Sequence, residues 1–174
     1  MRQSGVSLLV SIMLAFGASA FAQSPARICV AETETREPSI SPSATRDALI
    51  KFLGKQKGLQ AEEVAIDTPD LAAAMTQATE KKCDYLVDAV VAEVHSESGY
   101  TTTTSGGISS QSGVNMPTFF VTTNYKLIRV SDNAEQASGS VKASDRGSAQ
   151  TAVIATTKKI AEKVAASVKS SGAK

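Results

Sequence analysis

Tryptophan is absent from this chain, histidine occurs once and cysteine twice. Each scarcity excludes something. Two Cys and one His leave a structural zinc site short of donors, so no metal and no cofactor is expected. With only three Tyr and five Phe, the core has to be built from small and β-branched side chains. Net charge is missing too: 18 basic residues stand against 17 acidic ones. The total therefore encodes no long-range attraction to nucleic acid or to an anionic membrane. The longest apolar run, Val6 to Phe16, falls short of the about 20 residues that a helical membrane span needs.

That run has another use. Arg2 precedes it, and Ala18, Ala20 and Ala22 follow as small residues of an A-x-A cleavage region, the pattern of an export signal. Residues 1–22 are read as a cleaved signal peptide, with Gln23 as the new N-terminus and the periplasm or the exterior as the destination. Residues 23–174 then form one α/β domain, a length that supports one substantial core. Removing Arg2 leaves 17 basic residues against 17 acidic ones. A lipid-anchored protein places Cys directly after its cleavage site, whereas Gln23 stands here and Cys29 follows Ala26-Arg27-Ile28. No stable membrane anchor is expected after cleavage. In an oxidising compartment Cys29 and Cys83 read first as a disulfide, with two buried free thiols as the alternative.

The order of elements follows from periodicity and punctuation. Arg27 to Thr33 is a short β-prone run. Ser41 caps a helix that opens with Pro42 and repeats Ala48, Leu49, Phe52 and Leu53. Glu63 to Asp67 is a second strand. Thr68-Pro69 repeats the cap design before a helix through Leu71, Ala74, Met75 and Ala78. Cys83 to Val94 is apolar on both faces early on except at Asp88, as in a strand central to a covered sheet. Residues 96–116, rich in Ser, Thr and Gly, read as a flexible loop. In Thr118 to Val130, Val121, Tyr125 and Leu127 share one face while Thr122, Asn124 and Lys126 share the other. A turn at Ser131-Asp132-Asn133 leads to a polar edge strand over Gln136 to Ala143. A last helix from about Gly147 to Ser170 carries the stripe Val153, Ile154, Thr157, Ile160, Ala161, Val164 and Val168. The predicted order is β-α-β-α-β-β-β-α in a mixed sheet of two or three layers, its first half parallel and its second an antiparallel meander. If the first and third strands are parallel neighbours, Cys29 and Cys83 both lie near strand N-terminal ends and meet across them.

This succession, with RICVAET first, Cys83-Asp84-Tyr85-Leu86-Val87 in the central strand and Arg129-Val130-Ser131-Asp132-Asn133-Ala134 at the later turn, resembles the CsgG-like and LpoB-like family of bacterial envelope proteins. The resemblance covers most of residues 27 to 170 and implies a binding or assembly module rather than an enzyme. Two departures narrow it. Family members are typically lipoproteins, and the anchoring Cys is missing here. A secretion pore needs long hairpins of alternating apolar residues, which the polar 96–116 insert does not supply.

Candidate chemistry is sparse. His95 ends the central strand and, by period-two counting, shares a face with Glu93 and Val91, so a general base beside a carboxylate is conceivable. No nucleophile elbow accompanies it, and a solvated strand-end histidine is the simpler reading. Asp88 must be paired, solvated or protonated: it lines a cleft, faces solvent, or meets Lys126 across a strand pair. Gly106-Gly107 beside Thr101 to Thr104 lacks the Lys and the helix of a phosphate loop. Lys158, Lys159, Lys163, Lys169 and Lys174 make the last helix basic, for which the helix dipole is an adequate reason and an anionic envelope polymer or acidic partner the functional alternative. The expectation is a soluble, exported, non-catalytic binding or assembly module of the bacterial cell envelope, its partner another envelope protein or a cell-wall component. The alternative is a small periplasmic hydrolase or ligand-binding protein with a cleft near Asp88, Glu93 and His95.

Overall fold

Burial on both sides of β1 (Ala26–Val30) sets the architecture: Ile28 and Val30 enter one apolar cluster while Cys29 and, just past the strand, Ala31 enter another on the opposite side. A strand with both faces buried belongs inside a sheet covered on both sides. The computed structural model describes residues 25–172 apart from 58, 60, 99, 106, 107 and 115; the signal peptide expected over residues 1–22 lies outside the described residues. The remaining elements are α1 (Pro42–Leu53), β2 (Ala61–Ala65), α2 (Leu71–Glu80), β3 (Tyr85–Glu97), β4 (Tyr100–Ser105), β5 (Ile108–Val114), β6 (Thr118–Arg129), β7 (Ala134–Asp145) and α3 (Ala149–Gly172). One mixed sheet runs in the order β2-β1-β3-β6-β7, with β1 parallel to β2 and β3, and β6 antiparallel to β3 and β7. The mixed α/β class and the parallel-then-antiparallel order match the expectation from sequence.

Both expected layer counts occur, in different halves. Leu49 and Leu53 of α1 and Ile160, Ala161, Val164 and Val168 of α3 pack on Ile28, Val30, Val87, Tyr125 and Leu127. Ala74 and Ala78 of α2 cover Cys29 and Leu86 from the other side. The parallel half is thus three layers deep. At the antiparallel end α3 continues over the same face, where Ala149, Ala152 and Val153 meet Val121 and Thr123 and Thr156 share a buried hydrogen bond of 2.8 Å. The opposite face of β6 leaves Asn124 and Lys126 exposed.

Local chemistry explains where the elements begin. The Ser41 hydroxyl accepts from the Ala44 N–H at 3.3 Å, with Pro42 at the first helical position. The second helix corrects the reading from sequence: its cap is Asp70, whose carboxylate accepts from the Ala73 N–H at 2.8 Å. Thr68 is held outside the helix because its carbonyl accepts from Glu32 N–H while its hydroxyl accepts from Asp70 N–H. A larger correction concerns residues 96–116. The expected loop is mostly strand: β3 runs on to Glu97, and β4 and β5 pair antiparallel, with Thr103 opposite Ser110. Runs of Thr are β-prone whatever their polarity.

Candidate functional site

One extra residue in β3 decides which side chains meet. Val91 stands opposite Thr123 and Glu93 opposite Thr122, so Ala92 has no partner and forms a β-bulge. A bulge inverts the alternation beyond it. Period-two counting across Ala92 therefore misplaces Glu93 and His95: they share a face not with Val91, which packs toward α3, but with Asp88 and Val90. That face is the one α2 leaves uncovered at the β3-β6-β7 end of the sheet.

Asp88 lies opposite Lys126, the cross-strand partner considered from sequence, and is only 7% exposed. Burial pushes its carboxyl above the ordinary range; Lys126 and the Ala89 N–H pull it down and Glu34 pushes it up further. Glu34 arrives through a bridge to Val90. Asp88, Val90, Asn124, Lys126, Ser138 and Gly139 border a hollow of about 270 Å³.

Glu93 and His95 line a different depression, of about 610 Å³, together with Phe120, Thr122, Lys142 and Lys159. The His95 ring stacks on Phe120 with centroids 5.0 Å apart and planes 10° from parallel. Its Nδ1 is 3.8 Å from Glu93 Oε1 and its Nε2 is 3.9 Å from Glu97 Oε1, contacts too long for hydrogen bonds. Glu93 also accepts a long hydrogen bond of 3.4 Å from the Thr122 hydroxyl. Seven residues separate Asp88 from His95 along one strand, a distance of roughly 20 Å at about 3.3 Å per residue. The three residues share a face but not a cleft. Nothing in the sequence pattern signals the bulge or the stacking of Phe120 on His95.

The cysteines lie on the same side of the sheet, beneath α2. Cys29 and Cys83 form a disulfide with Cα atoms 5.8 Å apart, and β1 and β3 are the expected parallel neighbours. The expected placement at two strand N-terminal ends is corrected, because Cys29 lies near the C-terminal end of β1 opposite Leu86 and Cys83 precedes β3. Among the described residues no group of three His, Cys, Asp or Glu converges as a metal site, and no helix is long and apolar enough to cross a membrane. On α3, Lys159 donates to the Lys142 carbonyl at 2.7 Å and Lys169 to the Lys57 carbonyl. All four of Lys158, Lys159, Lys163 and Lys169 are exposed, and two of them are thus tied to backbone carbonyls; Lys174 lies outside the described residues.

The fold is that of an α/β protein whose mixed sheet is sandwiched at its parallel end and bare on one face at its antiparallel end. Solved structures share it. The PelC dodecamer from Paraburkholderia phytofirmans aligns with a TM-score of 0.54 at 16% identity, over 83% of this chain and 90% of that one. A Xanthomonas campestris protein assigned to DUF330 aligns with a TM-score of 0.55 at 13% identity, over 90% of this chain and 93% of that one. At such identities the likeness concerns the fold. No protein-family model matches the chain, and no curated protein matches its sequence.

Proposed function

We propose that this chain is an exported, non-catalytic binding or assembly module of the bacterial cell envelope, related to the CsgG-like and LpoB-like proteins that its sequence resembles. It acts in the periplasm or outside the cell without a lipid anchor, and its partner is another envelope protein or a cell-wall component. The observation that carries this reading is the face of β3, β6 and β7 that α2 leaves uncovered. It presents the His95–Phe120 stack, Thr122, Asn124 and Lys126 side by side, a mixture of aromatic and polar groups suited to a partner's surface. The use of the same fold in the PelC dodecamer supports an assembly role. A hydrolase built on Asp88, Glu93 and His95 is the weaker reading, because these residues border two separate hollows. The test is affinity capture of the tagged protein after crosslinking in the intact envelope. A reproducible envelope partner is expected; recovery of none, or a hydrolytic activity abolished by His95→Ala, overturns the reading.

A further inference from the structure

We propose that the hollow over Asp88 is a receptor site for a primary ammonium group, presented on the methylene stem of a lysine side chain in a partner polypeptide. The proposal deepens the binding-module reading and rests on it only for the source of the amine. Asp88 is 93% removed from solvent, by its 7% exposure, and borders the hollow. Lys126 sits opposite in the register, yet among the described residues no ion pair includes Asp88. A buried carboxylate without a close counter-ion gains most from a cation brought to it.

The surroundings select the kind of cation. Asp88 is the one carboxylate that borders the hollow; Glu34, bridged to Val90 outside it, adds negative charge that acts on Asp88, and the single exposed Lys126 opposes an arriving cation. Beside Asp88, Asn124 and Ser138 border the hollow, and their amide and hydroxyl oxygens bring the acceptor types to three, the number of donors an ammonium carries. Val90 supplies an apolar wall for a methylene stem. At about 30 Å³ per water-sized group, 270 Å³ holds the end of a lysine side chain with space left for water. Lys126 at the border opposes a second cation nearby and favours a compact, singly charged head.

The experiment is a titration of the mature protein with Nα-acetyl-lysine methylamide, followed by backbone amide NMR shifts. Saturable shifts at Val90, Asn124 and Ser138 are expected, with affinity falling at least tenfold in Asp88→Asn and no saturation with the uncharged norleucine analogue. Lys126→Met, which removes a like charge, is expected to tighten binding several-fold. Absence of saturable shifts up to about 20 mM probe, an equal response to the norleucine analogue, or loss of binding in Lys126→Met overturns the ammonium site. A lysine peptide that binds more tightly than n-butylamine supports a polypeptide source, and equal affinity overturns it. The site can fail in these titrations while crosslinking still recovers a partner, which separates the two proposals.

Discussion

Reducing the Cys29–Cys83 disulfide isolates one contribution to stability, because it removes no side chain from the core. Cys29 is fully buried and Cys83 is 6% exposed, and the bond joins residues 54 apart in sequence. On the chain-entropy relation, closing a loop of that length lowers the free energy of folding by about 4 kcal/mol through the unfolded state. For a domain of this size each kcal/mol corresponds to about 2–4 °C in melting temperature, so reduction is expected to lower Tm by roughly 8–16 °C. Urea unfolding of the oxidised and the reduced protein measures the difference directly, and the reduced chain, free to expand further, is expected to give the larger m-value. Cys29→Ala/Cys83→Ala should fall slightly below the reduced protein, because it also removes two sulfurs packed against Ala74, Ala78 and Leu86. An oxidised-minus-reduced difference under about 1 kcal/mol refutes the argument that the bond acts by closing this loop.

Replacing Asp70 with Ala is expected to cost about 1 kcal/mol in chemical denaturation through loss of the Ala73 N–H cap, and Thr68→Ala less; the reverse order contradicts the cap assignment. Burial raises the Asp88 carboxyl above its ordinary 3.8, so its ionisation costs the folded state more than the unfolded one. Asp88→Asn should therefore be more stable than the wild type at about pH 7, with the gap closing as pH falls through the raised value toward 3.8; a gap that widens on acidification contradicts this. Gly139 faces Tyr125 across the β6-β7 pair, and a Cβ there would lie 3.2 Å from the ring Cε1. Gly139→Val is expected to lower stability by about 1–3 kcal/mol in thermal melts, with Gly139→Ala closer to neutral.

Where one periodicity held from end to end, the chain could be read directly. The α3 stripe from Val153 to Val168, apart from the half-buried Ile154, and the Val121-Tyr125-Leu127 face of β6 are buried as their spacing predicts. The cysteines were legible because β-α-β handedness leaves few strand orders, and β1 next to β3 brings both thiols to one side. The single unpaired Ala92 defeated counting, since a bulge leaves no compositional mark and reverses every assignment beyond it. Polarity likewise hid β4 and β5: a Thr-rich strand has little to bury, and burial is what a hydrophobic pattern reports. The candidate site was harder still. Asp88 stood out as a charge in an apolar strand, but the hollow beside it depends on Ser138 and Gly139 of β7, which pairing brings near only after the fold is formed.

The claim that the face of β3, β6 and β7 left uncovered by α2 binds an envelope partner is tested most directly by placing a photo-crosslinking residue at exposed Asn124 or, on the outer side of α3, at exposed Glu162, and irradiating cells. A discrete adduct from position 124, absent from position 162, is the result the account predicts. Adducts from position 162 alone, or from neither position, contradict it.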